Sequence, residues 1–335
     1  MGQAFGRVFN VSEYVFPVLP ATYDASHEML VFFPTEADID APAMMLAPRV
    51  ENRRHLGLQV ALCVIYFHPN AADIGDCLHE METIRDGAFG GDAIVVAPEY
   101  PGYGLLMEYT PSVEGIDRVA AASWRFCTEE LGFGPEQIIL WGRSIGTGPA
   151  TALAWNRARN HGGMGTQRLG PSKGLEDTRP LGALVLLAPF ISISAVVLAH
   201  VSPLLSTFVS PMWQVQEMVG DITLQGVPLC VLHPAEDDIV PPSHGKAVLD
   251  AAAARRKLGI WLVGANHNFV LHEEHLEKVH DFITHNQLPG NFYSGKSPRD
   301  LTARDVDESD CQELVNRLVA WGNSSETWKT SEQTI

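Results

Sequence analysis

Residues 138–148 read IILWGRSIGTG, and this stretch decides the fold. An apolar run stops where the pentapeptide GRSIG, at 142–146, places Ser144 between two glycines. A serine hydroxyl is a weak nucleophile unless a base takes its proton, and it must also stand clear of its own backbone. A sharp turn between a strand and a helix gives that clearance, and only small residues fit around it. The G-x-S-x-G spacing therefore predicts a nucleophile elbow, with a glycine-rich turn and an incidental serine as the alternative.

The surroundings of this pentapeptide favour the elbow. The run before it is typical of a buried strand, and residues 147–159 have a helix-like pattern. Pro149 falls in the first turn of that helix, where a missing backbone N–H is tolerated. We therefore predict that Ser144 is a nucleophile at the carboxyl end of a strand.

Apolar runs of the same kind recur along the chain, with helix-like patterns between them. The runs are at 28–33, 61–67, 93–98, 138–142, 183–189, 228–233 and 259–264, and the helix-like patterns are at 76–86, 113–131, 147–159, 244–256 and 271–284. The runs are continuous rather than alternating, which is typical of strands covered on both faces. This order predicts an α/β fold with a mostly parallel central sheet and helices on both faces, with its chemistry at the carboxyl ends of the strands.

The pattern also divides the chain. We expect an N-terminal extension at 1–20, an α/β domain at 21–289 and an acidic C-terminal tail at 290–335. The Gly-, Arg- and Ser-rich stretch at 156–179 lacks periodicity and predicts a surface insertion.

Residues 181–213 contain no Asp, Glu, Lys or Arg. A membrane span is one interpretation of such a stretch. Its first part is already explained as a central strand, and Pro189, Pro203 and Pro211 interrupt the remainder. We therefore predict a buried strand followed by a small apolar cap at 190–222 over the site, a surface that suits an acyl chain.

Composition and charge limit the classes of partner. The chain has 335 residues, 46% of them hydrophobic, and a formal net charge of −17. An acidic surface argues against binding of nucleic acid or anionic lipid through a basic patch. The five cysteines are widely spaced and form no C-x-x-C pair, so neither a disulfide framework nor a zinc site is indicated. Cys63 and Cys230 lie in apolar runs and are expected to be buried.

A serine nucleophile in this kind of fold needs an acid and then a histidine, each placed after a later strand. The segment PAEDDIVPPSHG follows the sixth apolar run, and ANHNF follows the seventh. His267 is the candidate base, and Asp237 is the candidate acid that would orient it and stabilise the imidazolium. Glu236 and Asp238 are neighbouring alternatives for the acid.

An oxyanion hole needs backbone N–H donors near the reacting serine. One predicted donor is the N–H of Ile145, the residue directly after the serine. The other should come from the loop HPNAADIGD at 68–76. Asn70 is the first choice in that loop, and Ala71 is the second.

Other polar residues have competing interpretations. We expect the substrate pocket to be lined by His68, Tyr103, Phe190 and Ile191. His68 and His233 end strands beside the proposed site, and both could instead be packed, hydrogen-bonded loop residues. Arg143 could contact an acidic group on a substrate, or it could serve helix packing or lie exposed.

The segment HEEH at 272–275 places two histidines three residues apart, which could hold a metal. The spacing differs from HExxH and no third ligand is evident. A solvated helix face is therefore the prediction, with no metal and no cofactor.

These segments together resemble the α/β-hydrolase-domain serine hydrolases, especially the intracellular subgroup that includes protein depalmitoylases. HPNAADIGD is similar to that subgroup's HGNAxDLG, EYPGYG to its DYSGYG, and GRSIGTGPA matches almost outright. LLAPFIS is similar to its strand-six ending, HPAEDDIVPPSHG to its HGTxDxVVPxxHG, and GANHN to its GAGHN. The resemblance spans residues 20–285 and implies a triad of Ser144, Asp237 and His267, with the loop at Asn70 completing the oxyanion hole.

The chain departs from the subgroup within these motifs. Pro69 and Pro234 stand where the subgroup has glycine, and proline fixes φ and removes a donor. Asn266 replaces the glycine before the histidine, and Asn tolerates positive φ better than most residues. The subgroup's N-terminal cysteine cluster has no counterpart in the first twenty residues.

The predicted reaction is hydrolysis of an acyl ester or thioester through an acyl-enzyme, with an apolar acyl group favoured. The substrate would be an acylated protein, as for a palmitoyl-protein thioesterase, or a small lipid, as for a carboxylesterase or lysophospholipase. A third hypothesis, supported by Pro69 and Pro234, is an inactive hydrolase fold that serves as a binding module.

The first sixteen residues, MGQAFGRVFNVSEYVF, lack a continuous apolar h-region, so a cytoplasmic location is expected. Gly2 suggests N-myristoylation, and with it peripheral association with a membrane. The myristoylation pattern has Ser or Thr at the position of Gly6, so the chain matches this pattern only in part.

Overall fold

The computed structural model describes residues 16, 20–35, 39–49, 62–161, 179–200, 212–254 and 256–284. Their strands form one eight-stranded sheet in the order β1-β2-β4-β3-β5-β6-β7-β8. The strands are β1 Leu30–Pro34, β2 Asp40–Leu46, β3 Leu62–Phe67, β4 Ala93–Pro98, β5 Ile138–Arg143, β6 Ala183–Leu187, β7 Leu229–Pro234 and β8 Lys257–Leu262. The pairs β1–β2 and β2–β4 are antiparallel, and every other pair is parallel. The predicted mostly parallel sheet is confirmed.

Helices follow most of the strands. They are α1 Leu78–Thr83, α2 Val113–Arg125, α3 Thr147–His161, α4 Ile193–His200, α5 Val215–Leu224, α6 Pro242–Ala251 and α7 Glu273–Thr284. Two π-helical turns, Ile84–Ala88 and Phe126–Glu130, continue α1 and α2. The start of α2 is fixed by Ser112, whose side chain accepts a hydrogen bond from the N–H of Gly115 and so satisfies one of the free donors of the first turn.

The core lies on both faces of the sheet, which explains the continuous apolar runs. Along β3, Cys63, Ile65 and Phe67 pack on the face covered by α2, α3 and α5, whereas Val64 and Tyr66 pack on the face covered by α1 and α7. Successive strand residues point to opposite faces, so both sets must be apolar. Burial of each large apolar side chain stabilises the fold by roughly 1.5–3 kcal/mol. Cys63 and Cys230 are fully buried, as expected.

Strand β2 was not predicted. It reads DAPAMML, with alanine, methionine and proline in place of β-branched residues, and Pro42 cannot donate to a neighbouring strand. Its place is fixed by antiparallel pairing with β1 and β4. That pairing is a long-range property which local composition does not reveal.

The predicted insertion at 156–179 begins too early, because α3 continues to His161. Arg157 is 2% exposed, and its guanidinium stacks 3.9 Å above the ring centroid of Trp124. An arginine held on a tryptophan face belongs to the packed layer rather than to a surface loop. Residues 162–178 lie outside the described residues.

The predicted cap at 190–222 contains α4 and the first turns of α5. Val215, Val219 and Ile222 of α5 are fully buried and join the core. Residues 201–211 lie outside the described residues, as do Gly2 and the tail at 290–335. Within the described ranges, no helix combines the length and the apolar character needed to cross a bilayer.

Candidate active site

The predicted elbow is formed by the turn Ser144–Gly146, which joins β5 to α3. Ser144 has φ +50°, in the left-handed region that residues with a Cβ rarely adopt. Gly146 allows the turn to close, since a Cβ there would lie 2.1 Å from the carbonyl oxygen of Phe67. Backbone strain of this kind costs about 1–3 kcal/mol and clusters at functional sites.

Ser144, His267 and Asp237 form one hydrogen-bonded chain. The Oγ of Ser144 lies 3.0 Å from Nε2 of His267. Nδ1 of His267 lies 2.8 Å from Oδ2 and 3.0 Å from Oδ1 of Asp237. The three residues follow β5, β8 and β7, so the carboxyl edge of the parallel sheet brings them together. Glu236 and Asp238 are exposed, and it is Asp237 that turns inward.

The loop after β7 holds Asp237 as a carboxylate. The backbone N–H groups of Ile239 and Val240 donate to Oδ1 at 2.9 and 2.7 Å. Burial alone would raise the pKa of Asp237, but the hydrogen bonds from His267 and from these N–H groups outweigh it and hold the pKa below its usual value. An ionised Asp237 fixes the proton of His267 on Nδ1 and leaves Nε2 free to accept from the serine.

His233 lies on the other side of Asp237. It is fully buried, its Nε2 is 2.8 Å from the carbonyl oxygen of Val240, and it is 3.6 Å from Oδ2 of Asp237. Burial lowers the pKa of His233, so the neutral ring donates from Nε2 to Val240. The packed, hydrogen-bonded interpretation of this histidine fits these contacts.

The loop after β3 carries the other predicted donors. The side-chain oxygen of Asn70 accepts a 2.6 Å hydrogen bond from the hydroxyl of Tyr103. Ala71 is exposed and has φ +55°. The closeness of Gly146 to Phe67 places this loop directly beside the elbow. The assignment of the Ile145, Asn70 and Ala71 amides to an oxyanion hole stays a prediction.

A buried polar network, which the sequence analysis missed, supports this loop. Nε2 of His68 lies 3.1 Å from Oε1 of Glu99, and both side chains are fully buried. The ring of Tyr100 stacks on His68 with centroids 3.8 Å apart, and its hydroxyl donates to the carbonyl oxygen of His68. Glu99 also accepts a hydrogen bond from the hydroxyl of Tyr23. His68 lies in the segment HPNAADIGD, and Glu99 and Tyr100 lie in EYPGYG, but neither segment by itself shows that these residues contact one another.

Two of the departures from the subgroup's motifs have a simple structural account. Asn266 does not adopt positive φ, contrary to the expectation; its side chain instead accepts from the N–H of Asn268 at 3.1 Å. Positive φ falls two residues earlier, at Gly264. Pro234 is the last residue of β7, where strand pairing is ending.

No model of a known protein family matches the chain. It is 25% identical over 268 residues to α/β hydrolase domain-containing protein 17C of Mus musculus, covering 77% of this chain and 72% of that protein. It is 28% identical over 222 residues to α/β hydrolase domain-containing protein aho-3 of Caenorhabditis elegans, covering 66% of this chain and 57% of that protein. A cold-adapted esterase from an Arctic intertidal metagenomic library has the same fold, with a TM-score of 0.51 at 14% identity over 76% of this chain and 91% of its own.

The chain has the α/β-hydrolase fold and is similar to α/β hydrolase domain-containing proteins. The pocket lining of His68, Tyr103, Phe190 and Ile191 stays a prediction. His68 is fully buried against Glu99, and Tyr103 and Phe190 are each 1% exposed. Ile191 is partly exposed, and its N–H donates to Nδ1 of His244.

Arg143 packs against helix α1, in agreement with the helix-packing interpretation, and it also contacts the loop that carries His267. It forms an ion pair with Glu80 of α1 and donates to backbone carbonyls of the loop that carries His267. The sequence offered no signal for this, because Glu80 lies in an ordinary amphipathic helix. The HEEH histidines have ring centroids 5.8 Å apart, and no group of three candidate metal ligands occurs among the described residues.

Proposed function

We propose that the chain is a serine hydrolase that cleaves acyl esters or thioesters through an acyl-enzyme intermediate. The observation that carries the proposal is the continuous contact from Asp237 through His267 to Ser144, with the serine on a strained strand-to-helix turn. A buried carboxylate, a hydrogen-bonded imidazole and a serine on a sharp turn are the parts that nucleophilic acyl transfer needs.

In the proposed mechanism, Nε2 of His267 takes the proton of Ser144 while Oγ attacks the acyl carbonyl carbon. The amides of Ile145 and Asn70 would hold the developing oxyanion, and the imidazolium would be stabilised by Asp237. His267 then protonates the leaving alcohol or thiol, and the acyl group remains on Ser144. A water molecule, deprotonated by His267, attacks this ester and releases the acid with the free serine.

Reaction with a fluorophosphonate probe tests this proposal. We expect covalent labelling of the folded protein, and we expect Ser144→Ala to abolish it together with hydrolysis of p-nitrophenyl esters. Ser243, an exposed residue in the first turn of α6, provides a matched control, and Ser243→Ala should label like the parent chain. Absence of labelling in the folded chain would favour the hypothesis of an inactive binding module.

For the substrate, we propose an apolar acyl group carried by a protein or by a small lipid. Support comes from α4, which reads ISAVVLAH and carries no formal charge apart from its terminal histidine, next to the partly exposed Ile191. A palmitoyl-peptide thioester, a lysophospholipid and p-nitrophenyl esters of graded chain length separate the alternatives. Preference for the thioester would support a palmitoyl-protein thioesterase, and preference for the lysolipid would support a lysophospholipase. Peripheral membrane association and a cytoplasmic location belong to the same proposal, and cell fractionation with and without Gly2→Ala tests them.

A further inference from the structure

The residue directly before the proposed nucleophile reaches the loop of the proposed base. Nη2 of Arg143 lies 3.0 Å from the carbonyl oxygen of Phe269 and 3.5 Å from that of His267. The centre of its guanidinium lies 5.2 Å from the centroid of the Phe269 ring. One side chain therefore contacts the backbone on both sides of Asn268.

The other end of the same guanidinium is anchored. Nη1 of Arg143 donates to Oε2 of Glu80, on α1. The two side chains are only 14% and 15% exposed, so solvent screens their attraction much less than it screens a surface pair. Burial opposes the charge of Arg143, but the Glu80 carboxylate outweighs it and raises the pKa of the guanidinium. Arg143 is therefore a permanent cation with fixed orientation.

The loop that receives these hydrogen bonds needs external support. Val263 is 87% exposed and Val270 is 60% exposed. Burial of apolar side chains therefore stabilises the ends of the segment that carries His267 only weakly. The imidazole must keep Nε2 in line with Ser144 while Nδ1 stays on Asp237. A displacement of the 267–269 backbone would move the ring relative to both partners.

We propose that Arg143 is a positioning residue which, anchored on Glu80, fixes the backbone of residues 267–269 so that His267 stays aligned with Ser144. The inference rests on the proposed function, because it assigns to Arg143 the support of that function's base. It differs from a role in substrate recognition, since both ends of the guanidinium are engaged by the protein itself.

Guanidinium geometry is what this role requires. A planar group with several N–H donors can contact a carboxylate and two carbonyls together, whereas the single ammonium of lysine is a point charge on a flexible stem. Arg143→Lys should therefore keep the positive charge near Glu80 without holding the loop. Arg143→Gln removes the charge as well, and Glu80→Gln leaves the guanidinium without its anchor.

The test compares kcat, KM and the rate of fluorophosphonate labelling for these variants of the full chain with a p-nitrophenyl ester. We expect Arg143→Gln to lower kcat and the labelling rate by roughly 10–100-fold, because small displacements of catalytic groups have effects of this size, while KM stays within about twofold. Arg143→Lys should recover less than a third of the parent's kcat, and Glu80→Gln should lose roughly 3–10-fold.

The matched control is Arg118→Gln, which breaks the exposed ion pair between Arg118 and Glu114 on α2. It should stay within about twofold of the parent in every parameter. If Arg143→Gln fails to fold, the kcat and labelling rate of Arg143→Lys test the inference instead, because lysine keeps the positive charge beside Glu80. Folded Arg143 variants with kcat and labelling equal to those of the control would overturn the inference while leaving the proposed function intact. A parent chain that is itself neither labelled nor active would overturn the proposed function, and the inference with it.

Discussion

The loops on the two sides of Ser144 are built differently. Because β5 lies between β3 and β6 in the sheet, β3 and β4 lie to one side of the serine and β7 and β8 to the other. On the β7–β8 side, Asp237 and His267 contact the serine through a direct hydrogen-bonded chain, and the surrounding loop is exposed at Val263 and Val270. On the β3–β4 side, His68 is the first residue of the loop at 68–76 and contacts Glu99, and both side chains are fully buried.

This difference fits the two chemical tasks that the proposed mechanism gives to these regions. A base must take up and release protons, so its ring needs room and access, and its orientation comes from a few directed hydrogen bonds. An oxyanion hole works by fixed dipoles that do not reorganise during the reaction, so rigidity is what it needs. We call the two regions the acid–base side (loops after β7 and β8) and the oxyanion side (loops after β3 and β4).

The largest effect should come from the acid–base side. His267→Gln removes the proton acceptor of Ser144, so we expect kcat to fall by roughly 10⁴–10⁶-fold, as for other residues that act as a unit with the nucleophile. Hydrolysis of a p-nitrophenyl ester measures this loss. The free energy of unfolding should change by less than about 1 kcal/mol, because the amide of Gln can still donate a hydrogen bond to Asp237. Retained activity in this variant would end the assignment of His267 as base.

The next effect should come from the oxyanion side, and it should affect stability and rate together. Glu99→Gln removes the charge that faces His68 but keeps an oxygen that can accept from Tyr23. We expect the free energy of unfolding to fall by roughly 1–3 kcal/mol, the usual consequence of weakening a buried polar contact, and kcat to fall by roughly tenfold. Urea unfolding and ester hydrolysis provide the two measurements. The exposed Glu114→Gln is the control, and a stable Glu99→Gln with normal kcat would erase the distinction between the two sides.

A smaller effect is expected for Tyr103→Phe, which removes the hydroxyl that donates to the side chain of Asn70. One hydrogen bond is worth about 1 kcal/mol, which corresponds to a loss of roughly fivefold in kcat with little change in KM. Tyr109→Phe is the matched control, because that ring is 44% exposed and lies outside the site. Equal kcat for the two variants would show that the loop at Asn70 does not depend on Tyr103.

The smallest effect on activity should come from a carboxyl outside both sides. Asp117 of α2 accepts a 3.0 Å hydrogen bond from the indole N–H of Trp213, and burial raises its pKa to about 7. A raised pKa means that the stabilising contribution is complete below the unfolded value of about 4 and is lost as the pH rises through the folded value. Asn can still accept from the indole but never ionises.

Asp117→Asn should therefore have a higher melting temperature than the parent chain, by a margin that grows between about pH 4 and the folded pKa of about 7 and is constant above it. Melting curves measured across this range check the expectation, and kcat should stay within about twofold of the parent. A margin that does not change with pH would contradict the ionisation of Asp117. A loss of kcat would connect this contact to one of the two sides.

The sequence predicted the acid–base side better than the oxyanion side. Ser144, Asp237 and His267 each follow a recognisable apolar strand, and parallel strands place their carboxyl ends along one edge, so the order of the motifs implies that they meet. Glu99 and Arg143 also stand at the ends of apolar strands, but nothing in the sequence pairs either of them with its partner. Their partners, His68 and Glu80, lie 31 and 63 residues away along the chain, and only the packed helices and strands bring them together.

The fold shows the same division. Strands buried on both faces are visible as continuous apolar runs, and the parallel part of the sheet was predicted from them. Strand β2 and helix α5 were missed, because the first has a composition of weak strand formers and the second lies in a stretch whose lack of charge suggested a cap. In both cases tertiary pairing determines the structure, and local propensity does not.

The close approach of Gly146 to Phe67 limits how this part of the protein can be altered. A side chain at position 146 would force the end of β3 away from the turn, because a Cβ would stand 2.1 Å from the Phe67 oxygen and 2.8 Å from that of His68. The turn at 144–146 and the end of β3 are therefore packed together as one rigid unit. A change in the backbone of one requires the other to move. If the proposed function holds, directed evolution toward a new acyl chain should select substitutions on α4 and around Ile191. Position 146 should remain glycine in every active variant that is selected.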